Sequence, residues 1–122
     1  MPVPLYQSKA ELFRTLGHPA RIRVLELLGD GPLAVRDLLA QVDIEATSMS
    51  QQLAVLRRAG IVNKLPEGRY ALAGPDVADL MQAARSFLTG LLASQSELLD
   101  ALRDEGGADE TDEADASVTV PA

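Results

Sequence analysis

The segment Ala46 to Val62 constrains this chain more tightly than any other: Ala-Thr-Ser-Met-Ser-Gln-Gln-Leu-Ala-Val-Leu-Arg-Arg-Ala-Gly-Ile-Val. At about 100° per residue, Met49, Leu53 and Leu56 share one side of a helix, while Thr47, Ser48, Gln51, Val55 and Arg58 spread over the other. Gly60 stops the helix and an extended segment follows. Such a rod buries one side in its own domain and presents small hydrogen-bonding groups with a basic end on the other. That chemistry suits the major groove of DNA. There Gln and Arg pair with base edges, Ser and Thr with bases or phosphates, and Val meets a thymine methyl. Ser48, Gln51 and Gln52 are expected at base edges, with Thr47, Ser50 and Val55 beside them.

A polar face is also what any solvated helix shows, so its neighbours decide. Pro2 and Pro4 mark residues 1–7 as an extended arm. Ser8, with Glu11 three residues on, reads as the cap of a first helix whose apolar side is Leu12, Phe13 and Leu16. Gly17-His18-Pro19 breaks it, and a second helix runs from Pro19 to about Leu28. Gly29-Asp30-Gly31-Pro32 is turn chemistry. A third helix is expected over 35–41, and Asp43 to Ala46 turns into the fourth, giving a helix-turn-helix pair. Ile61–Leu65 and Arg69–Leu72, joined by Pro66-Glu67-Gly68, read as a small β-hairpin wing. Gly74-Pro75 opens a long last helix from Asp76 to about Leu102. On it Leu80, Ala84, Phe87, Leu91, Leu98 and Leu102 recur at the spacing of a helix–helix seam. The expected fold is mainly α: a winged helix-turn-helix with four helices, a short β-hairpin wing and a long C-terminal helix, spanning 8–103.

Charge separates sharply along the chain. The net charge is −7, yet residues 1–103 hold all 11 Lys and Arg and 11 of the 18 acids, so that segment is neutral. The excess lies in 104–122, which reads as a disordered acidic tail. Its readings are a solubilising end, a competitor with DNA for the basic surface, or a recruiter of a basic partner. Within 47–70 the cations Arg57, Arg58, Lys64 and Arg69 face Glu67 alone, and the local field is what a phosphate meets. Arg58, Lys64 and Arg69 are expected on phosphates, with Arg36 of the third helix as a further contact. Arg57, nearer the buried side, is a candidate for pairing with a carboxylate instead.

The stretches Leu12-Phe13-Arg14-Thr15-Leu16-Gly17-His18-Pro19-Ala20-Arg21-Ile22-Arg23-Val24-Leu25 and Ser50-Gln51-Gln52-Leu53-Ala54-Val55-Leu56-Arg57-Arg58-Ala59-Gly60-Ile61-Val62 closely resemble the ArsR/SmtB family of small bacterial transcription regulators. The resemblance covers about residues 8–92. Gln52 stands where the family frequently has His, and the wing is several residues shorter than usual. The resemblance implies a homodimer that pairs through its first and last helices, presents two recognition helices to a palindromic operator in double-stranded DNA, and represses until a ligand changes the dimer. Leu12, Phe13, Leu16, Leu80, Ala84, Phe87, Leu91 and Leu98 are then the expected dimer interface.

The family's thiolate metal motif would fall on Ala34 to Leu38, where both thiolates are missing, and the chain has no cysteine at all. Its other metal site would fall on Gly74, Asp76, Phe87 and Gly90, of which only Asp76 is able to ligate. No resident cofactor is therefore expected. A divalent effector such as nickel would have to use His18, the only histidine, or Asp76, although a structural role for His18 at the start of a helix competes with that. There is no glycine-rich phosphate loop and no nucleophile motif, so enzyme chemistry has no visible basis. No apolar run approaches a membrane span and no secretion signal is visible, which points to the cytoplasm. A second functional class stays open: a co-regulator or interaction module whose sensing depends on another protein.

Overall fold

Residues 2–105 are described by the computed structural model, except the side chain of Glu105. Helix α1 spans Leu5–Leu16 with Pro4 as its N-cap residue. It therefore begins before Ser8, which lies inside the first turns and donates its N–H to the Pro4 carbonyl at 3.2 Å. Pro4 is the last residue whose ring blocks a helical hydrogen bond, and nothing in Leu5-Tyr6-Gln7 opposes a helix. The extended arm is correspondingly shorter than residues 1–7. Helix α2 spans Pro19–Leu28, with Pro19 at its first position, where the missing N–H costs nothing.

A two-residue strand, β1 (Leu33–Ala34), leads directly into α3 (Val35–Leu39). Helix α3 is shorter than the expected 35–41. The Asp37 carboxylate accepts the Ala34 N–H at 3.1 Å and closes its start. Helix α4 spans Ala46–Arg58. Its end is a Schellman closure: Ile61 N–H donates to the Leu56 carbonyl and Gly60 N–H to that of Arg57, both at 3.0 Å. Gly60 takes φ +78°, a left-handed turn for which a residue without Cβ is suited. Ile61 and Leu56, the two apolar residues that flank this closure, are both buried.

The wing is β2 (Val62–Lys64), a 3-10 turn at Pro66–Gly68, and β3 (Arg69–Leu72). Lys64 pairs with Tyr70 across the hairpin, and β1 adds on the far side of β3 to give the antiparallel order β1-β3-β2. That third strand is absent from the sequence expectation. Two residues after Pro32 carry no alternation, and their partner Tyr70 lies far along the chain. At the turn, Glu67 adopts φ +67°, the only described residue other than glycine with positive φ.

Two compact units divide the chain, residues 1–82 and 83–122. The first holds an aliphatic core in which α2 contributes Val24, Leu25 and Leu28, α3 Leu38, and α4 Met49, Leu53 and Leu56. Among the described residues this core contains no buried polar side chain. Val77, Leu80 and Met81, from the first turns of α5 (Pro75–Glu105), pack against it. In the second unit the described residues continue α5 from 83 to 105, and Phe87 is 69% and Leu98 52% exposed.

The expected dimer-interface residues divide accordingly. Leu16 is only 5% exposed and belongs to the core, which corrects its assignment to a dimer surface. It follows Leu12 by one helical turn on the inward side of α1, while Phe13, a quarter-turn round, stays 59% exposed. Leu12 and Leu80 are half-buried against the core, Leu91 is half-buried, and Ala84 is exposed. Helix α5 runs to Glu105, so Asp104 and Glu105 belong to it and not to the expected disordered tail; the rest of that expectation, over 106–122, lies outside the described residues.

Candidate nucleic-acid interface

Helix α4 divides as its spacing requires. Met49, Leu53 and Leu56 are at most 1% exposed, whereas Thr47, Ser50, Gln51, Arg57 and Arg58 are exposed, and Ser48, Gln52 and Val55 lie half-buried at the boundary. Helices α2 and α3 both pack against the buried side. The outward face is a row of hydroxyl and amide groups ending in two guanidinium groups. These cations also sit at the helix C-terminus, where the carbonyl dipoles favour them.

The wing extends the positive surface. Lys64 and Arg69 are exposed on β2 and β3. A hollow of about 430 Å³ is lined by Ser50, Ala54, Arg57 and Arg58 of α4 and by Tyr70 of β3. Among the described residues, the ion pairs are Arg14–Glu11, Arg23–Glu26 and Arg103–Asp100, all on exposed helix surface. No carboxylate pairs with Arg57, Arg58, Lys64, Arg69 or Arg36 there. Two arginines that line one hollow with a serine and a tyrosine, with no carboxylate among the described residues paired to either, give a positive surface that an anion would neutralise. Arg57 thus stands apart from the carboxylate pairing expected for it and joins Arg58 on the same side.

Gln52, expected at a base edge, also makes a contact within its own domain. Its Oε1 accepts a hydrogen bond from Arg21 Nε of α2 at 2.7 Å. Bidentate reading of adenine requires the amide oxygen as well as the amide nitrogen, and that oxygen is already engaged inside the domain. Sequence reasoning also passed over Tyr70 and Arg21. Tyr70 was findable from the hairpin register, which sets it opposite Lys64. Arg21 had no local signal, because its partner lies 31 residues away.

His18 is the N-cap of α2, and its Nδ1 accepts the Ala20 N–H at 3.2 Å. One ring nitrogen therefore serves the helix start, the structural role weighed against metal ligation. Asp76 lies in the first turn of α5, where a carboxylate favours the helix dipole. Among the described residues, no three His, Asp or Glu side chains gather where they could hold a metal ion. No described helix is long and apolar enough to cross a membrane.

Comparison with known proteins agrees with this architecture. Residues 16–64, from the end of α1 through α4 to β2, match a family described as a helix-turn-helix domain. An uncharacterised HTH-type transcriptional regulator of Mycobacterium tuberculosis is 47% identical over 109 residues, spanning 86% of this chain and 96% of the relative. The biofilm growth-associated repressor of Agrobacterium fabrum is 39% identical over 90 residues, spanning 68% of this chain and 77% of the relative. The crystal structure of the M. tuberculosis regulator superposes with a TM-score of 0.71 at 46% identity, covering 78% of this chain and 99% of that one. The homodimeric winged helix-turn-helix DNA-binding domain of a possible ArsR-family regulator from Mycobacterium bovis, solved in solution, gives a TM-score of 0.66 at 28% identity, covering 72% and 84%. With a relative of this identity matched over nearly its whole length, and with the recognition helix and wing in place, the chain belongs to the ArsR/SmtB family of winged helix-turn-helix transcriptional regulators.

Proposed function

We propose that this protein is a cytoplasmic, homodimeric repressor that lowers its two α4 helices into successive major grooves of a palindromic operator. The observation that carries this reading is the division of α4: its apolar stripe is buried to completion, and the hydroxyl, amide and cationic groups of the opposite side are left to solvent. Thr47, Ser48, Ser50, Gln51 and Val55 are the candidate base contacts. Arg58, Lys64 and Arg69 are the candidate phosphate contacts, joined by Arg57 and Tyr70 at the wing-side hollow and by Arg36 on the exposed side of α3. The repressor name of the A. fabrum relative supports the sign of regulation, and the homodimer of the M. bovis domain supports the assembly. The apolar groups that a second copy would cover are Phe13 on α1 and Phe87, Leu91 and Leu98 on α5. With no cysteine in the chain, the signal that relieves repression enters without thiolate ligands.

The test is fluorescence anisotropy of the pure full chain on a duplex that it selects from a randomised pool. The expected result is specific binding to a two-fold symmetric sequence, with half-sites about one helical turn apart or a multiple of it. Affinity should fall with salt, and Arg69→Ala should flatten the log–log salt slope by about 0.9 for each copy of Arg69 in the complex. Binding that appears only when a second protein is added would instead make this chain a co-regulator.

A further inference from the structure

One guanidinium ties three helices together. Arg21, in the first turn of α2, donates from Nε to Gln52 Oε1 of α4 at 2.7 Å and from an Nη to the Thr15 carbonyl of α1 at 3.0 Å. Both bonds are partly buried. The Thr15 carbonyl lies in the last turn of α1, among the groups that a helix leaves without an internal partner and that carry its negative dipole end. A cation in the first turn of α2 opposes that helix's own dipole, so the charge of Arg21 serves α1 and α4 rather than α2. Among the described residues no carboxylate pairs with it. Arginine only donates, so the Gln52 amide must turn its oxygen toward Arg21.

We propose that Arg21 is a positioning residue for DNA recognition: it holds Gln52 and the Thr15 carbonyl together, so fixing how α4 is rotated and tilted against α2 and the end of α1, with Gln52 as its anchor rather than as a base reader. A planar fork with two engaged donors constrains angle as well as distance, which an apolar contact does not. Apolar contacts at Met49, Leu53 and Leu56 carry no direction, whereas the Arg21–Gln52 bond at the edge of the stripe does, and a roll of α4 that broke it would carry Ser48 and Gln51 away from the bases proposed for them. Because α1 is one of the helices that the proposed dimer uses, the same tie relates each recognition helix to the two-fold axis. This inference rests on the DNA-binding reading above.

The experiment measures binding of the full-length wild type, Arg21→Ala, Gln52→Ala, the double variant and Gln52→Glu. Each is titrated against the duplex selected by the wild type and against a random duplex, across a salt series. Each alanine variant is expected to weaken binding to the selected duplex about tenfold, the scale of one lost hydrogen bond to a charged group. The double variant should be no weaker than the worse single one, because the two residues act as one unit. Affinity for the random duplex and the salt slope should stay at wild-type values. Gln52→Glu keeps an acceptor for Arg21 and should keep the ratio of selected to random affinity within about threefold of wild type, its added negative charge weakening both duplexes alike. Independent, additive losses would overturn the proposal. So would a flatter salt slope in Arg21→Ala, which would make Arg21 a phosphate contact, or a Gln52→Glu variant that loses as much of the selected-to-random ratio as Gln52→Ala, which would make the amide a base reader. If Arg21→Ala fails to fold, the contrast between Gln52→Glu and Gln52→Ala still decides, since both keep Arg21. Failure of the wild type to bind any duplex sinks the proposed function, whereas wild-type binding with unresponsive variants sinks this inference alone.

Discussion

Helices α4 and α5 carry the same kind of pattern, apolar residues returning every three or four positions, yet the chain treats them differently. On α4, Met49, Leu53 and Leu56 vanish into the core. On α5 the pattern is met only at the start, by Val77, Leu80 and Met81. Further along, Phe87, Leu88, Leu92 and Leu98 remain exposed. Periodicity shows that a helix has a face to bury, and it is silent about what covers that face. On α4 the cover is the same chain, which frees the opposite side for a ligand. On the later turns of α5 the proposed cover is a second copy.

The contrast breaks most clearly at the two buried-versus-exposed positions. Leu53→Ala should lower the unfolding free energy by about 2–5 kcal/mol, the cost of a cavity in a closed core. Chemical denaturation read by circular dichroism should show this loss whatever the protein concentration. Phe87→Ala should instead weaken dimerisation by about 1.5–3 kcal/mol, the value of burying one large apolar side chain. Sedimentation equilibrium would detect this as a dissociation constant raised about tenfold to a hundredfold. An unchanged constant would remove α5 from the interface.

Two glycines sharpen the same comparison on a smaller scale. Gly60 closes α4 at φ +78° with open space around it, so Gly60→Ala should cost about 1–2 kcal/mol through backbone strain alone. Gly90 lies inside α5 with nothing within 4 Å of an added Cβ. Gly90→Ala should stabilise the helix by about 0.5–1 kcal/mol. Thermal melts of the two variants should therefore move in opposite directions. A loss on Gly90→Ala would mean that the partner's backbone comes close at that position.

Much of the fold was legible because its signals are local. Pro19 at a helix start, Gly60 at a helix end and Pro66-Glu67-Gly68 at a hairpin each act through the backbone of a few neighbouring residues. The exposed side of α4 was legible for the same reason. What was not legible lies across long separations. Strand β1 exists because β3 offers its edge, and two residues have no periodicity of their own. Gln52 looks like any groove-reading glutamine until Arg21 is brought against it. Leu16 and Phe13 both look apolar on α1, and only the position of α2 decides which one turns inward.

The order of residues by itself determined which segments are helices and turns, where Pro19 opens one helix and Gly60 closes another, which face of each helix is apolar, and that the positive charge gathers between Arg57 and Arg69. Dihedral preference, capping and spacing act within about a turn of helix, so nothing distant is needed to read them. The tertiary structure alone decided which apolar stripe is closed within one chain and which is left open, and which polar groups are held inside. Burial and hydrogen bonding join residues by their place in space, and that place exists only once the helices have packed.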